Sequence, residues 1–113
     1  MSVGFHVREV SMTMDGFEVT MQVNYFSHAL LVVLLLGVLE RGKPSRVVLT
    51  SSSTHDPAIK MPGPPVDFDL GDLQMEHRPF NGEVVYKNAK LACILFANEA
   101  RRALYSSHSH FTM

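Results

Sequence analysis

Arg46-Val47-Val48-Leu49-Thr50-Ser51 constrains this chain more than any other stretch. It is a short, β-branched, mostly apolar run of the kind that forms a parallel strand covered on both faces. It stands between two long segments with helical periodicity. A single strand has no ladder of its own, so its pairing edges need a partner. The order along the chain is helix, strand, long loop, helix. That order predicts an α/β fold built around parallel strands, not a helical bundle or a β-sandwich.

The first helical segment is expected over residues 16–40. Asp15 is placed as N-cap with Glu18 as its capping-box partner, and Met14 and Val19 are spaced for a hydrophobic staple. Phe17, Met21, Val23, Phe26, Leu30, Val33 and Leu34 make an apolar stripe that widens until the helix is apolar nearly all round. This predicts burial on several sides or a subunit contact. Asn24 and His28 form a polar pair on one face. Arg41-Gly42-Lys43-Pro44 supplies the stop. The wholly apolar part, Ala29 to Leu39, is about eleven residues, short of the ~20 that cross a bilayer. A buried helix is expected, with a membrane-bound helical hairpin as a remote reading.

Residues 54–82 read as a long irregular connection. Pro57, Pro62, Pro64, Pro65 and Pro79 break helices, and Asp67, Asp69 and Asp72 suit turns. A helical turn is expected over Asp69 to Gln74. Connections this long in small domains are often lids or binding loops. The second helix is expected to begin near Gly82 to Val85 and run to about Leu104, with its body over residues 85–104 and Tyr86, Ala89, Cys93 and Phe96 along one side. Residues 1–13 read as extended and 105–113 as frayed.

Bulk properties narrow the function. The chain has 113 residues, enough for one small domain, and is 46% hydrophobic and 19% charged, ordinary globular material. A formal net charge of -1 gives no reason to expect nucleic acid as a partner. Cys93 is the only cysteine, so no internal disulfide or cysteine metal cluster is expected. The six histidines are scattered without zincin spacing, so no metal site is expected. No basic region followed by an apolar run opens the sequence, so a cytoplasmic location is expected.

The chemistry concentrates in Tyr86-Lys87-Asn88-Ala89-Lys90. Tyrosine and lysine at i, i+4 share one helix face. A free phenol titrates near ~10, and an adjacent ammonium favours the phenolate, so such a pair is a candidate general acid/base. On its own, i, i+4 spacing is more often one buried ring beside one solvated amine. Ser51-Ser52-Ser53-Thr54 follows the strand at its carboxyl end, where open α/β sheets bind ligands.

In this order, Asp15-Gly16-Phe17-Glu18, Val23-Asn24-Tyr25, Arg46-Val47-Val48 leading to Ser51-Ser52, and Tyr86-x-x-x-Lys90-Leu91-Ala92 resemble the short-chain dehydrogenase/reductase family. The nearest flavour is its retinol-dehydrogenase-like and protochlorophyllide-reductase-like branch. The resemblance covers residues 13–104 and treats residues 1–113 as part of one such domain, a partial Rossmann-like, doubly wound fold. It implies carbonyl/alcohol interconversion with NADP or NAD. Tyr86 would be the general acid/base. Lys90 would support it and bind the nicotinamide ribose, and Ser52, preferred to Ser51 and Ser53, would hold the substrate oxygen. Asn24 would anchor a water linking Lys90 to solvent. The substrate implied is a small carbonyl or alcohol, lipophilic by branch.

The sequence contains no T-G-x-x-x-G-x-G turn, and residues 1–12 hold no asparagine where an N-N-A-G segment would precede Asp15. The family's last strand is also missing from this reading. A central slice of the domain is therefore expected, with both helices as the best-formed parts of a chain that folds poorly alone. The alternative is a non-catalytic interaction module that pairs with a full-length relative. In the family, helices like 16–40 and 85–104 form a dimer contact.

Overall fold

The computed structural model describes residues 9–106 and 111–112. The expected extended start, residues 1–13, therefore falls largely outside the described residues. Helix α1 spans Val19–Arg41 and helix α2 spans Gly82–Ser106. Strands β1, Ser45–Arg46, and β2, Phe111–Thr112, pair in parallel, with Ser45 opposite Phe111 and Arg46 opposite Thr112. A 3-10 turn at Ser53–His55 follows β1.

The start of α1 departs from the expected capping box. Gly16 adopts φ 81, a left-handed conformation that glycine takes without Cβ strain. It closes a turn in which the Thr13 amide donates to the Phe17 carbonyl at 2.7 Å, and Met12 bridges Glu18 antiparallel. The chain stays extended through Glu18, so Glu18, not Asp15, is the N-cap: its Oε2 accepts from the Met21 amide at 2.8 Å. Asp15 instead accepts from the Gln22 side chain. Met14 points into solvent, fully exposed, so the staple to Val19 does not form.

Within α1, Gln22–Phe26 forms a π turn centred on Asn24. Such turns carry one extra residue and often occur at functional positions. The helix stops where expected. The Gly42 amide donates to Val38 O, and the Ser45 hydroxyl lies within donating distance of the Leu39 and Gly42 carbonyls, at 2.9 and 3.0 Å, so its one proton meets a carbonyl that the helix end leaves open.

Of the two expectations for α1, burial on several sides holds only for its first half. In its second half only Val32 is buried, whereas Leu30, Leu31, Val33, Leu34, Leu35 and Val38 are exposed. The described neighbours cover only the first turns of the helix. By length and composition, the 23 residues of Val19–Arg41 could cross a membrane, longer than the apolar run alone suggested. A core helix of a globular protein passes the same test.

The strand expectation is also corrected. Of Arg46 to Ser51, only Arg46 lies in a ladder; Val47 to Ser51 have no pairing strand among the described residues. Conversely, the last residues are not simply frayed. Helix α2 continues to Ser106, and Phe111–Thr112 return parallel to β1. The sequence β1–α2–β2 is thus a parallel crossover unit, which needs an intervening helix because parallel strands cannot be joined by a tight turn.

The connection between β1 and α2 is made of turns, with no helix over Asp69 to Gln74. Asp56 and Asp69 each accept the backbone amide two residues on, as aspartates in Asx turns do, and Asp72 accepts the amides of Glu76 and His77 across a wider turn. Asn81 Oδ1 then caps α2 by accepting from the Glu83 and Val84 amides at 3.0 and 3.2 Å. The core lies where the first turns of the two helices cross. Met21, Met75, Val84, Val85 and Ala89 are buried there, flanked by Tyr25, Phe26, Leu73 and Phe80.

Candidate functional site

Tyr86 and Lys90 occupy successive turns of α2 and are both buried. Lys90 Nζ lies 5.5 Å from the Tyr86 ring centroid and donates to the Thr50 carbonyl at 3.3 Å. A buried ammonium needs acceptors, and this one carries three N–H donors. Among the described residues Thr50 O is a hydrogen-bond acceptor for this amine.

The segment after β1 is tied to the same helix turn. Ser51 Oγ donates to the Lys90 carbonyl at 2.7 Å. Ser52 Oγ accepts from the Thr54 amide at 3.3 Å and from Thr54 Oγ1 at 3.0 Å, and Ser52 caps the 3-10 turn. The two serines therefore differ. The Ser51 hydroxyl is used inside the chain, whereas Ser52 receives two bonds and keeps its own O–H to offer.

Asn24 comes from the facing helix and is fully buried. Its Nδ2 donates to Thr20 O at 2.8 Å, and its carbonyl accepts from Cys93 Sγ and pairs with His28 Nδ1, each at 3.2 Å. Asn24 Oδ1 is buried without a hydrogen-bond partner. A buried acceptor of this kind is costly unless a water or ligand meets it. Cys93 lies one turn beyond Lys90. Burial pushes its thiol above the ordinary range, and the Lys90 charge offsets this only in part, so the S–H that donates to Asn24 is retained at neutral pH. Burial, and then Cys93, likewise raise the Tyr25 phenol.

Tyr86, Lys90 and the Thr50–Ser52 segment thus share one cluster. Asn24 joins it through Cys93, not by a direct bond to Lys90. A cavity of about 560 Å³ opens beside Lys90, between His28, Leu35 and Leu39 of α1 and Val47 to Thr50. Among the described residues no group of three or more His, Cys, Asp or Glu could hold a metal ion.

The sequence offers Ser51 only as second to Ser52 and Cys93 only as a neighbour on the Tyr86 side of the helix, and it gives no role to Lys87 and Asn88. Cys93 had a signal, since i+3 from Lys90 is the same helix face. The other contacts bridge residues 21 to 39 apart in sequence and leave no local trace.

The relatives of this chain share one kind of chemistry. WW domain-containing oxidoreductase from Gallus gallus is 40% identical over 94 residues, covering 82% of this chain and 22% of the relative. Retinol dehydrogenase 13 from Homo sapiens is 39% identical over 95 residues, 84% of this chain and 26% of the relative. Polyprenol dehydrogenase from Homo sapiens is 38% identical over 104 residues, 88% and 29%. The chain spans about a quarter of the length of these curated relatives. The crystal structure of an uncharacterized protein from Mycobacterium Paratuberculosis matches with a TM-score of 0.72 at 31% identity, over 98% of this chain and 35% of that one. No protein-family model matches. These likenesses define a class of dehydrogenase-type oxidoreductases. Within it, the chain belongs to the short-chain dehydrogenase/reductase family.

Proposed function

We propose that this chain carries the catalytic centre of a nicotinamide-dependent oxidoreductase of Rossmann-like fold that interconverts a lipophilic alcohol and its carbonyl. The observation that carries this reading is the buried Lys90 ammonium held 5.5 Å from the Tyr86 ring, with Ser51-Ser52 fastened to the same helix turn. The names of the matched dehydrogenases support the substrate class.

In this reading Tyr86 exchanges a proton with the substrate oxygen. Ser52 donates its remaining O–H to that oxygen, its own Oγ polarised by the two donors from Thr54. Lys90 holds positive charge beside the phenol and offers its remaining N–H donors to a ribose hydroxyl. Asn24 Oδ1, buried and unpartnered, is the acceptor that a bridging water would use. A bound nicotinamide dinucleotide supplies the hydride. The residues present fit its nicotinamide ribose end, through Lys90 and Tyr86. None of the described residues forms a glycine-rich phosphate cradle, so the choice between NADP and NAD is not carried by them.

Fluorescence titration with NADPH and NADH tests the proposal. Saturable binding that Lys90→Ala abolishes is expected. Absence of binding to the unaltered chain would sink it. A second reading, an interaction module pairing through α1, is favoured by the exposed row Leu30, Leu31, Leu34 and Val38. Association with a full-length relative, without dinucleotide binding, would select it.

A further inference from the structure

Two residues between Tyr86 and Lys90 point away from the site and onto the long loop. Lys87 is 3% exposed and Asn88 fully buried, unusual for a lysine and an asparagine on a helix that could solvate both. Asn88 Nδ2 donates to the Asp67 carbonyl at 2.7 Å, and Asn88 Oδ1 accepts from the Asp67 amide at 3.3 Å. The side-chain amide thus binds one residue's backbone through both its groups, as a neighbouring strand would. Lys87 Nζ donates to the Pro64 carbonyl at 2.6 Å and is neutralised by Glu83 at 2.8 Å. Arg78 ties Asp67 and Asp72 together from the far side.

These ties have a common address. Ser51 is fastened to the Lys90 carbonyl, Pro64 to Lys87 and Asp67 to Asn88. Both ends of the Ser52–Gly63 segment are therefore held on the single helical turn that links Tyr86 to Lys90. A loop of this kind, closed at its base, is an Ω-like unit. It has Ser52 at its first position.

We propose that Lys87 and Asn88 are positioning residues: they clip the loop that begins at Ser52 onto the Tyr86–Lys90 turn, so that the serine, tyrosine and lysine are set as one rigid unit. Lys87 and Asn88 touch no reacting atom in this assignment. The assignment deepens the oxidoreductase reading and rests on it for its catalytic meaning, but the clip is measurable without turnover. It also replaces a mobile lid with a fixed wall, since a lid would not be bonded at its base to buried side chains.

Hydrogen exchange and tyrosine ring NMR on the full chain test it. In the unaltered protein the Asp67 amide should exchange as slowly as the amides of residues 86–90, while those of residues 60–61 exchange at least tenfold faster. Asn88→Ala should speed Asp67 at least tenfold and shift the Tyr86 ring resonances, leaving those of Tyr25 in place. Lys87→Met should do the same at the Val66 and Asp67 amides, and Lys87→Arg, which keeps a cation for Pro64 and Glu83, should give the unaltered pattern. A fast-exchanging Asp67 amide in the unaltered chain overturns the clip. Faster loop exchange in both variants with a stationary Tyr86 ring overturns the positioning role. Failure of dinucleotide binding in an unaltered chain whose clip and ring response are intact would count against the oxidoreductase reading alone.

Discussion

Val84 to Cys93 of α2 and Leu30 to Val38 of α1 are both helical and both rich in apolar side chains, yet their surroundings are opposite. In α2 nearly every position from Val84 to Cys93 is buried, including Lys87, Asn88 and Lys90. In α1 the leucine-rich half is exposed, with Leu34 at 70%. Hydrophobic character alone therefore does not decide which helix is inside. The α2 turn is covered because polar groups on it hold other segments down: Lys90 and Ser51, Lys87 and Pro64, Asn88 and Asp67. Leu30 to Val38 carry no such groups, and among the described residues their surroundings include the cavity beside Val47 to Thr50.

The sharpest way to break this contrast is Lys90→Ala. It removes the buried charge that faces Tyr86 and should cut turnover by at least about a hundredfold in an alcohol-oxidation assay, the scale of a lost acid/base group. Retained activity would remove Lys90 from the site. Next in size is stability. Met21→Ala, at 0% exposure, should cost about 2–5 kcal/mol in urea unfolding. Leu34→Ala, on the exposed half, should stay within about 0.5 kcal/mol. Equal costs would mean that the exposed half of α1 is covered in solution.

Smaller effects follow from titration. Cys93 is raised by burial, so the folded thiol keeps its proton where the unfolded one begins to lose it. Its contribution is complete below the unfolded pKa near ~8.5 and declines as pH rises above it. Cys93→Ser should flatten the alkaline limb of a melting profile. Asp72 runs the other way. Desolvation would raise its carboxyl, but the Glu76 and His77 amides and then the His77 and Arg78 charges outweigh that and hold it below the ordinary range. Its contribution is present above the unfolded pKa near ~3.9 and is lost as pH falls through the lower folded value. Asp72→Asn should remove that acid-side loss, and an unchanged acid limb would show that the Glu76 and His77 amides and the His77 and Arg78 charges do not hold the Asp72 carboxylate in solution.

Periodicity made both helices legible, and the Arg41-Gly42-Lys43-Pro44 stop was readable to within one residue. The family was readable because four short motifs stand in order. The start of α1 was not, because Glu18 outcompetes Asp15 only once Gly16 closes its turn. The extent of β1 was not, because a strand is defined by its neighbour and Val47 to Ser51 have none among the described residues. The serines were ranked by position in the chain. What distinguishes their hydroxyls physically, a bond from Ser51 to Lys90 O, depends on two segments 39 residues apart. The same holds for Lys87 and Asn88, which look like the solvated side of a helix until the loop is laid over them.

The π turn at Gln22–Phe26 has a consequence for phase. One extra residue in an α-helix advances every later side chain by about 100° around the axis. Thr20, Met21 and Asn24, which face α2, and the leucine row that follows are therefore set to different compass bearings on one rod. To this helix, loss of one residue in the turn is a rotation more than a shortening. It would swing the row from Leu30 to Val38 by roughly a quarter-turn relative to the site, moving His28, Leu35 and Leu39 off the wall of the cavity beside Lys90.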